Sequence, residues 1–232
     1  MEYLPDGLTL EIPEGVFPLG TDSMALADFV RLSGNSRVLD LGSGAGTLGL
    51  LLCAGNGTCS VTGLEWDPRA HAAALENIRR NALGSRLQSI CADIRQIPQL
   101  ISPGSFSAAI SNPPYFSGGP KSKAFPQARR EELCPLEDWL AGAAWALKFG
   151  GDFYMVYRPE GLARVISLAA REGLEAKRLR LLRHREGADV SLILLQLRKG
   201  GKPGLQWEEA CLYRADGSPS PYYRQIYHLQ EA

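Results

Sequence analysis

From residue 36 the chain alternates short apolar runs with longer stretches in which apolar positions recur at helical spacing. The apolar runs cover 37–41, 60–65, 87–92, 107–111 and 152–157, each of strand length. The helical stretches are 47–53, broken by Gly55-Asn56-Gly57; 68–81, with Pro68 in the first turn and Gly84 beyond the end; 136–147, ending at Gly150-Gly151; and 160–172, stopped by Gly173. Residues 94–105 predict a short helical or loop piece. Residues 176–185 and 190–197 read as two strands joined by Glu186-Gly187-Ala188-Asp189. That link is too short for a parallel crossover, so the second strand runs antiparallel beside its neighbour. The alternation predicts an α/β fold with a doubly wound, mostly parallel sheet and right-handed crossovers.

Before this pattern, residues 1–20 are rich in proline and glycine, with a short strand expected at 7–12. A helix is expected over 23–32, with Thr21 or Asp22 as its N-cap and Ser33-Gly34 as its stop. After residue 199 the chain is Gly/Pro-rich and carries Trp207, Tyr213, Tyr222, Tyr223 and Tyr227. The expected organisation is one domain over 1–232: an N-terminal segment and helix (1–35), a core (36–199) and an aromatic tail (200–232).

Composition narrows the chemistry. With 232 residues, 45% of them hydrophobic, there is enough apolar surface for one large core. A formal net charge of zero makes no global demand for a nucleic-acid partner, and leaves a local basic face open. The five cysteines, Cys53, Cys59, Cys91, Cys134 and Cys211, have no C-x-x-C spacing and read as reduced thiols of a cytoplasmic protein. The first residues are neither basic nor apolar, so no signal peptide is expected, and no apolar run has the length of a membrane span. His71, His184 and His228 lie far apart without ligand-spaced neighbours, so no metal site is expected.

Four strand ends carry candidate chemistry. Val38-Leu39-Asp40-Leu41 runs into Gly42-Ser43-Gly44-Ala45-Gly46, a turn in which glycine permits positive φ and lets a ligand approach the backbone. It is neither the G-x-G-x-x-G dinucleotide fingerprint nor a phosphate loop, and no lysine follows it, so a nucleoside with a neutral or zwitterionic tail fits best. Glu65, in Gly63-Leu64-Glu65-Trp66-Asp67, closes the second strand; Asp67 serves as cap for the helix at Pro68, which leaves Glu65 to accept ribose hydroxyls. Asp93, in Cys91-Ala92-Asp93-Ile94, either caps a helix start or accepts an exocyclic amine. The fourth strand ends in Asn112-Pro113-Pro114-Tyr115, where two prolines stop the strand and fix an amide, a carbonyl and an aromatic ring at its carboxyl end. In open α/β sheets ligands bind at those ends.

Asp40-Leu41-Gly42-Ser43-Gly44-Ala45-Gly46, Glu65, Asp93 and Asn112-Pro113-Pro114-Tyr115, in that order, resemble the class I S-adenosylmethionine-dependent methyltransferases of the amino-group-modifying type. With Gly20-Thr21-Asp22-Ser23 and Ala128-Arg129-Arg130-Glu131, the chain is most similar to the adenine-N6 methyltransferases that modify the base beside the anticodon of a valine tRNA. It departs from that subgroup in following Asp22 with Ser23 and Met24, where Gly or Ala and Val or Leu are commoner. The resemblance implies a seven-stranded Rossmann-like sheet with an antiparallel last strand, S-adenosyl-L-methionine as cofactor, and an RNA substrate, a tRNA. It implies that Asp22, Asp40, Gly42, Gly44, Gly46, Glu65, Trp66, Asp93, Ile94 and Asn112 bind the cofactor. Asn112, Pro113 and Tyr115 are then catalytic, and Pro114, Phe116, Lys121, Lys123, Arg129 and Arg130 meet the substrate.

On this reading the Asn112 side-chain oxygen and the Pro113 carbonyl accept the two hydrogens of a planar amine, while Tyr115 stacks on the base. The basic segment 177–185 is either a strand with a solvated charged face or a phosphate-contacting edge beside the site. Three alternatives are weighed. Guanine-N2 RNA methyltransferases tend to carry Phe in place of Tyr115. Protein glutamine-N5 methyltransferases have an extra helical domain before the glycine turn, for which the roughly 36 preceding residues are too few. A non-catalytic nucleoside-binding or assembly subunit would not need intact Gly42, Gly44, Gly46, Asn112 and Tyr115.

Overall fold

The computed structural model describes residues 1–4, 7–113 and 134–229. Two short strands, β1 (Glu2–Tyr3) and β2 (Thr9–Leu10), pair antiparallel ahead of helix α1 (Thr21–Phe29). The alternating unit follows as β3 (Arg37–Leu41), α2 (Thr47–Gly55), β4 (Ser60–Glu65), α3 (Pro68–Arg80), β5 (Leu87–Cys91), α4 (Ile97–Leu100) and β6 (Phe106–Ser111). After the undescribed stretch come α5 (Leu136–Ala146), β7 (Leu147–Tyr157), α6 (Leu162–Arg171), β8 (Leu174–Arg185), β9 (Val190–Lys199), β10 (Gln206–Tyr213) and α7 (Pro221–Ile226).

The main sheet has the order β10-β8-β9-β7-β6-β3-β4-β5. Every pair is parallel except β7–β9 and β8–β9, so β9 alone runs backwards. Its neighbours alternate between two cores with the period of a strand. Tyr154 and Val156 join the layer formed with α1, α2 and α3, whereas Phe153, Met155 and Tyr157 join the layer formed with α4, α5 and α6. The chain thus has the expected doubly wound α/β methyltransferase architecture, with strand order reversing between β3 and β6, where the crevice of such a sheet opens.

Four local expectations change. The sheet has eight strands, because residues 206–213 of the expected tail form β10 parallel to β8. Gly150-Gly151 does not end a helix. Helix α5 stops at Ala146, β7 begins at once, and the glycines lie inside it where its register with β6 shifts between Phe106 and Ala108. Helix α1 starts earlier than expected, with Gly20 as an N-cap that supplies no side-chain bond. Thr21 Oγ1 instead pairs with Tyr227 Oη at 3.0 Å. Finally, β8 is an interior strand, and two of its arginines, Arg178 and Arg180, are neither solvated nor on an edge. Arg180 bonds Asp28 at 2.8 Å, Glu208 at 3.0 Å and Tyr222 Oη at 3.0 Å, while the Arg178 guanidinium lies 4.2 Å from the Phe29 ring centroid.

Candidate active site

The glycine turn after β3 is built by backbone geometry. Gly42, Gly44 and Gly46 have φ of 68°, 56° and 86°. A Cβ at Gly42 would lie 2.5 Å from the Trp139 ring, so positive φ and close packing both exclude a side chain there. The Gly42 and Ser43 amides donate to the Leu64 carbonyl at 2.9 and 3.0 Å, tying the turn to the end of β4. Asn77, fully buried on α3, donates to the Ala45 carbonyl at 3.0 Å and also bonds both backbone polar groups of Glu11.

Glu65 is committed further than the sequence suggests. Asp67 does cap α3, accepting from Arg69 N at 2.9 Å. Yet one Glu65 oxygen accepts from Gly44 N and the other from Asp67 N, both at 2.8 Å. The carboxylate therefore clamps the turn to the end of β4, and each oxygen keeps one lone-pair direction for a ligand.

Asp40 does not stand on the cavity wall. It is 1% exposed on β3, opposite Gly63, and neither carboxylate oxygen has a hydrogen-bond partner in the structure. Burial, and then the charge of Glu65, push its pKa well above the ordinary value, against the opposing effect of the Gly49 backbone. The sequence places Asp40 with the ligand-binding acids because it sits two residues before Gly42, but a residue within a strand covered on both faces points into protein. Asp22 likewise is not part of the wall. It lies in the first turn of α1, where burial raises its pKa against the opposing charge of Arg158.

A cavity of about 520 Å3 opens between the ends of β3, β4, β5 and β6. Gly42, Ser43, Gly44, Glu65, Trp66, Asp93, Ile94, Asn112 and Pro113 line it; Gly46 does not, serving as the left-handed N-cap of α2. Asp93 combines two of its expected properties: it is on the wall, and it caps the short helix after it. It accepts from Arg95 N at 2.9 Å and pairs with the Arg95 guanidinium, which holds its pKa below the ordinary value. Asn112 donates its amide to Ser23 Oγ at 3.3 Å, which leaves its Oδ1 buried and without a partner. Pro114, Tyr115, Phe116, Lys121, Lys123, Arg129 and Arg130 lie outside the described residues.

The model of the methyltransferase small domain family matches residues 14–166, more than half of the chain. This chain belongs to that family. Among its relatives, a protein of Bacteroides fragilis described as a tRNA1(Val) (adenine(37)-N6)-methyltransferase is 31% identical over 179 residues, covering 76% of this chain and 75% of the relative. A protein of the same description from Mannheimia succiniciproducens is 34% identical over 141 residues, or 60% and 57% of the two chains. Among solved structures, a predicted O-methyltransferase of Agrobacterium tumefaciens superposes with a TM-score of 0.75 at 22% identity, covering 91% of this chain and 97% of that one. TrmN of Thermus thermophilus superposes with a TM-score of 0.57 at 24% identity over 76% and 48%. These two likenesses establish the fold.

The chain is thus a class I methyltransferase, a family whose methyl donor is S-adenosylmethionine. The site fits that molecule on its own features. The cavity has the size of a small-molecule site, one wall is bare glycine backbone, and Ser43 Oγ is buried without a partner beside it. A sequence reading misses two contributors to this methyltransferase site. Ser23 orients the Asn112 amide from α1, and Asn77 pins the glycine turn from behind. The signal for Ser23 is its place beside Gly20-Thr21-Asp22; Asn77 carries only the oddity of a polar residue on the apolar face of α3.

Among the described residues no helix is long and apolar enough to cross a membrane, and no group of His, Cys, Asp and Glu could hold a metal ion.

Proposed function

We propose that this methyltransferase modifies the exocyclic amine of a nucleic-acid base, N6 of an adenine beside the anticodon of a tRNA. The observation that carries the reading is Asn112: a buried amide oxygen without a partner, at the end of β6 and on the wall of the cofactor-sized cavity. The descriptions of the relatives support adenine and tRNA.

An exocyclic amine is a poor nucleophile because its lone pair is delocalised into the ring. Asn112 Oδ1 and the Pro113 carbonyl accept its two hydrogens, draw the nitrogen towards tetrahedral geometry and stabilise the positive charge it gains. This is electrostatic preorganisation, and a neutral amide performs it without a tuned pKa. Ser23 keeps the amide turned so that its oxygen, not its nitrogen, faces the substrate. S-adenosylmethionine, when bound, supplies an electrophilic methyl group. For its binding we assign the bare turn of Gly42 and Gly44 to the amino-acid end, Glu65 to the ribose hydroxyls, and Asp93, Ile94 and Trp66 to the adenine. Tyr115 stacks on the target base, which leaves its own stack to enter.

The test is product identification. Incubation of the protein with S-adenosylmethionine carrying a radiolabelled methyl and an unmodified valine tRNA transcript is expected to yield N6-methyladenosine on nucleoside digestion. Label in N2-methylguanosine, or in a release-factor protein offered in parallel with no label in tRNA, contradicts the reading.

A further inference from the structure

A second cavity, of about 380 Å3, lies on the α1 face of the sheet, away from the glycine turn. Arg31, Lys177, Arg178 and Arg198 stand on its wall, against a single carboxylate, Asp152. Asp152 is already engaged by Arg198, at 2.8 and 2.9 Å. Arg178 is 9% exposed, and its three hydrogen bonds, to Phe29 O, Gln196 Oε1 and Glu208 Oε1, are all long at 3.3–3.4 Å. Glu208 stands outside the cavity and is shared with Arg180. Lys177 Nζ donates to the Lys202 carbonyl at 2.8 Å, and Arg31 has no carboxylate partner among the described residues. Three positive charges in excess thus face one small space in a chain whose net charge is zero. Burial and then the neighbouring Arg31 charge hold the Arg178 guanidinium below its ordinary pKa, against the opposing charge of Glu208.

The place is built, not incidental. Tyr154, whose side chain is fully buried, donates its hydroxyl to the Arg31 carbonyl at 3.0 Å and so fixes the backbone that presents Arg31. Arg31 follows α1 directly, eight residues after Ser23 on the wall of the first cavity. The helix rises about 9 Å from Ser23 to Phe29, and the chain then runs extended through Val30 to Arg31, together the span of roughly two to four nucleotides of a strand. One helix therefore leads from the catalytic cavity to the cationic one.

We infer that the cavity of Arg31, Lys177, Arg178 and Arg198 takes a phosphate of the substrate RNA backbone, a few nucleotides from the base that enters the active site. The inference rests on the RNA reading above. A guanidinium of Arg31 and the ammonium of Lys177 at the rim meet the phosphate oxygens, while Arg178 supplies buried positive charge behind them. The contact positions the strand and carries no sequence information.

The test compares wild type with the Arg31→Glu, Lys177→Glu double variant and with Arg31→Lys. KM for an unmodified valine tRNA transcript is measured across a salt series, with S-adenosylmethionine affinity by calorimetry as the control for folding. The double variant is expected to raise KM for tRNA about tenfold or more and to reduce the salt slope by about one per lost phosphate contact. Cofactor affinity stays at the wild-type value, and Arg31→Lys stays close to wild type. Unchanged KM and salt slope in the double variant overturn the inference while leaving tRNA methylation intact. A wild-type chain that does not methylate tRNA overturns the functional reading and this inference with it. Inorganic phosphate is titrated in parallel: a site that binds it in wild type, loses it in the double variant and leaves KM for tRNA unaltered takes free phosphate, which also overturns the inference.

Discussion

Asp40 and Asn112 are both buried polar groups with unpartnered oxygens, but they have opposite meanings. Asn112 is neutral, its nitrogen is bonded, and the residue stands on the cavity wall, so its buried, unpartnered oxygen suits a donor from a substrate. Asp40 lies off the wall, and its ionised form is disfavoured by burial and by Glu65. Its folded-state pKa is raised above the ordinary 3.8, whereas in the unfolded chain it ionises normally. The folded state then holds a proton that the unfolded state has released. The contribution of Asp40 to stability is full below the ordinary carboxylate value and is lost as pH rises towards the raised one. Asp40→Asn, which keeps the shape and cannot ionise, is expected to be more stable than wild type at neutral pH and to lack this decline. Urea unfolding at a series of pH values checks it, and a pH slope equal to that of wild type speaks against it.

At the scale of elements, the strands that hold the site were legible because each is a short apolar run punctuated at its carboxyl end by glycine, an acid or a proline pair. β3 and β4 have the expected bounds, and β5 and β6 match within a residue. Legibility failed where tertiary contacts override local signals. Gly150-Gly151 looks like a helix stop but serves a strand irregularity. Arg178 and Arg180 look like a solvated strip or a strand edge, yet they pack on Phe29 and bond Asp28, Glu208 and Tyr222, residues distant in the chain. Nor does 206–213 advertise a strand, since its apolar residues do not alternate with polar ones. β10 is an edge strand whose first four residues are exposed, held by pairing to β8. Its removal strips Glu208 and Tyr222 from those arginines and bares the edge of β8. A chain ending after residue 204 is therefore expected to melt several degrees lower and to lose soluble yield, read by thermal denaturation and gel filtration. An unchanged melting temperature would show that the tail is dispensable to the fold.

For the whole molecule, the sheet divides its labour. Strands β3 to β6 end in the cavity that suits the cofactor and the reacting amine. The β7–β9–β8 side carries the cationic cavity, and α1 leads from one towards the other, with Ser23 in its first turn and Arg31 two residues beyond its end. The fold and the cofactor chemistry could be read from residue order alone, since glycines and acids at strand ends have few other uses in combination. The second cavity could not, because its cations come from the segment after α1, from β8 and from β9, and meet only in three dimensions. The central claim is that Asn112 aligns a planar amine for transfer. Its most direct measurement pairs single-turnover methylation of tRNA with S-adenosylmethionine affinity for Asn112→Ala. The account predicts a fall in turnover of about a hundredfold or more with cofactor affinity near that of wild type. Methylation at close to the wild-type rate by the variant would contradict it.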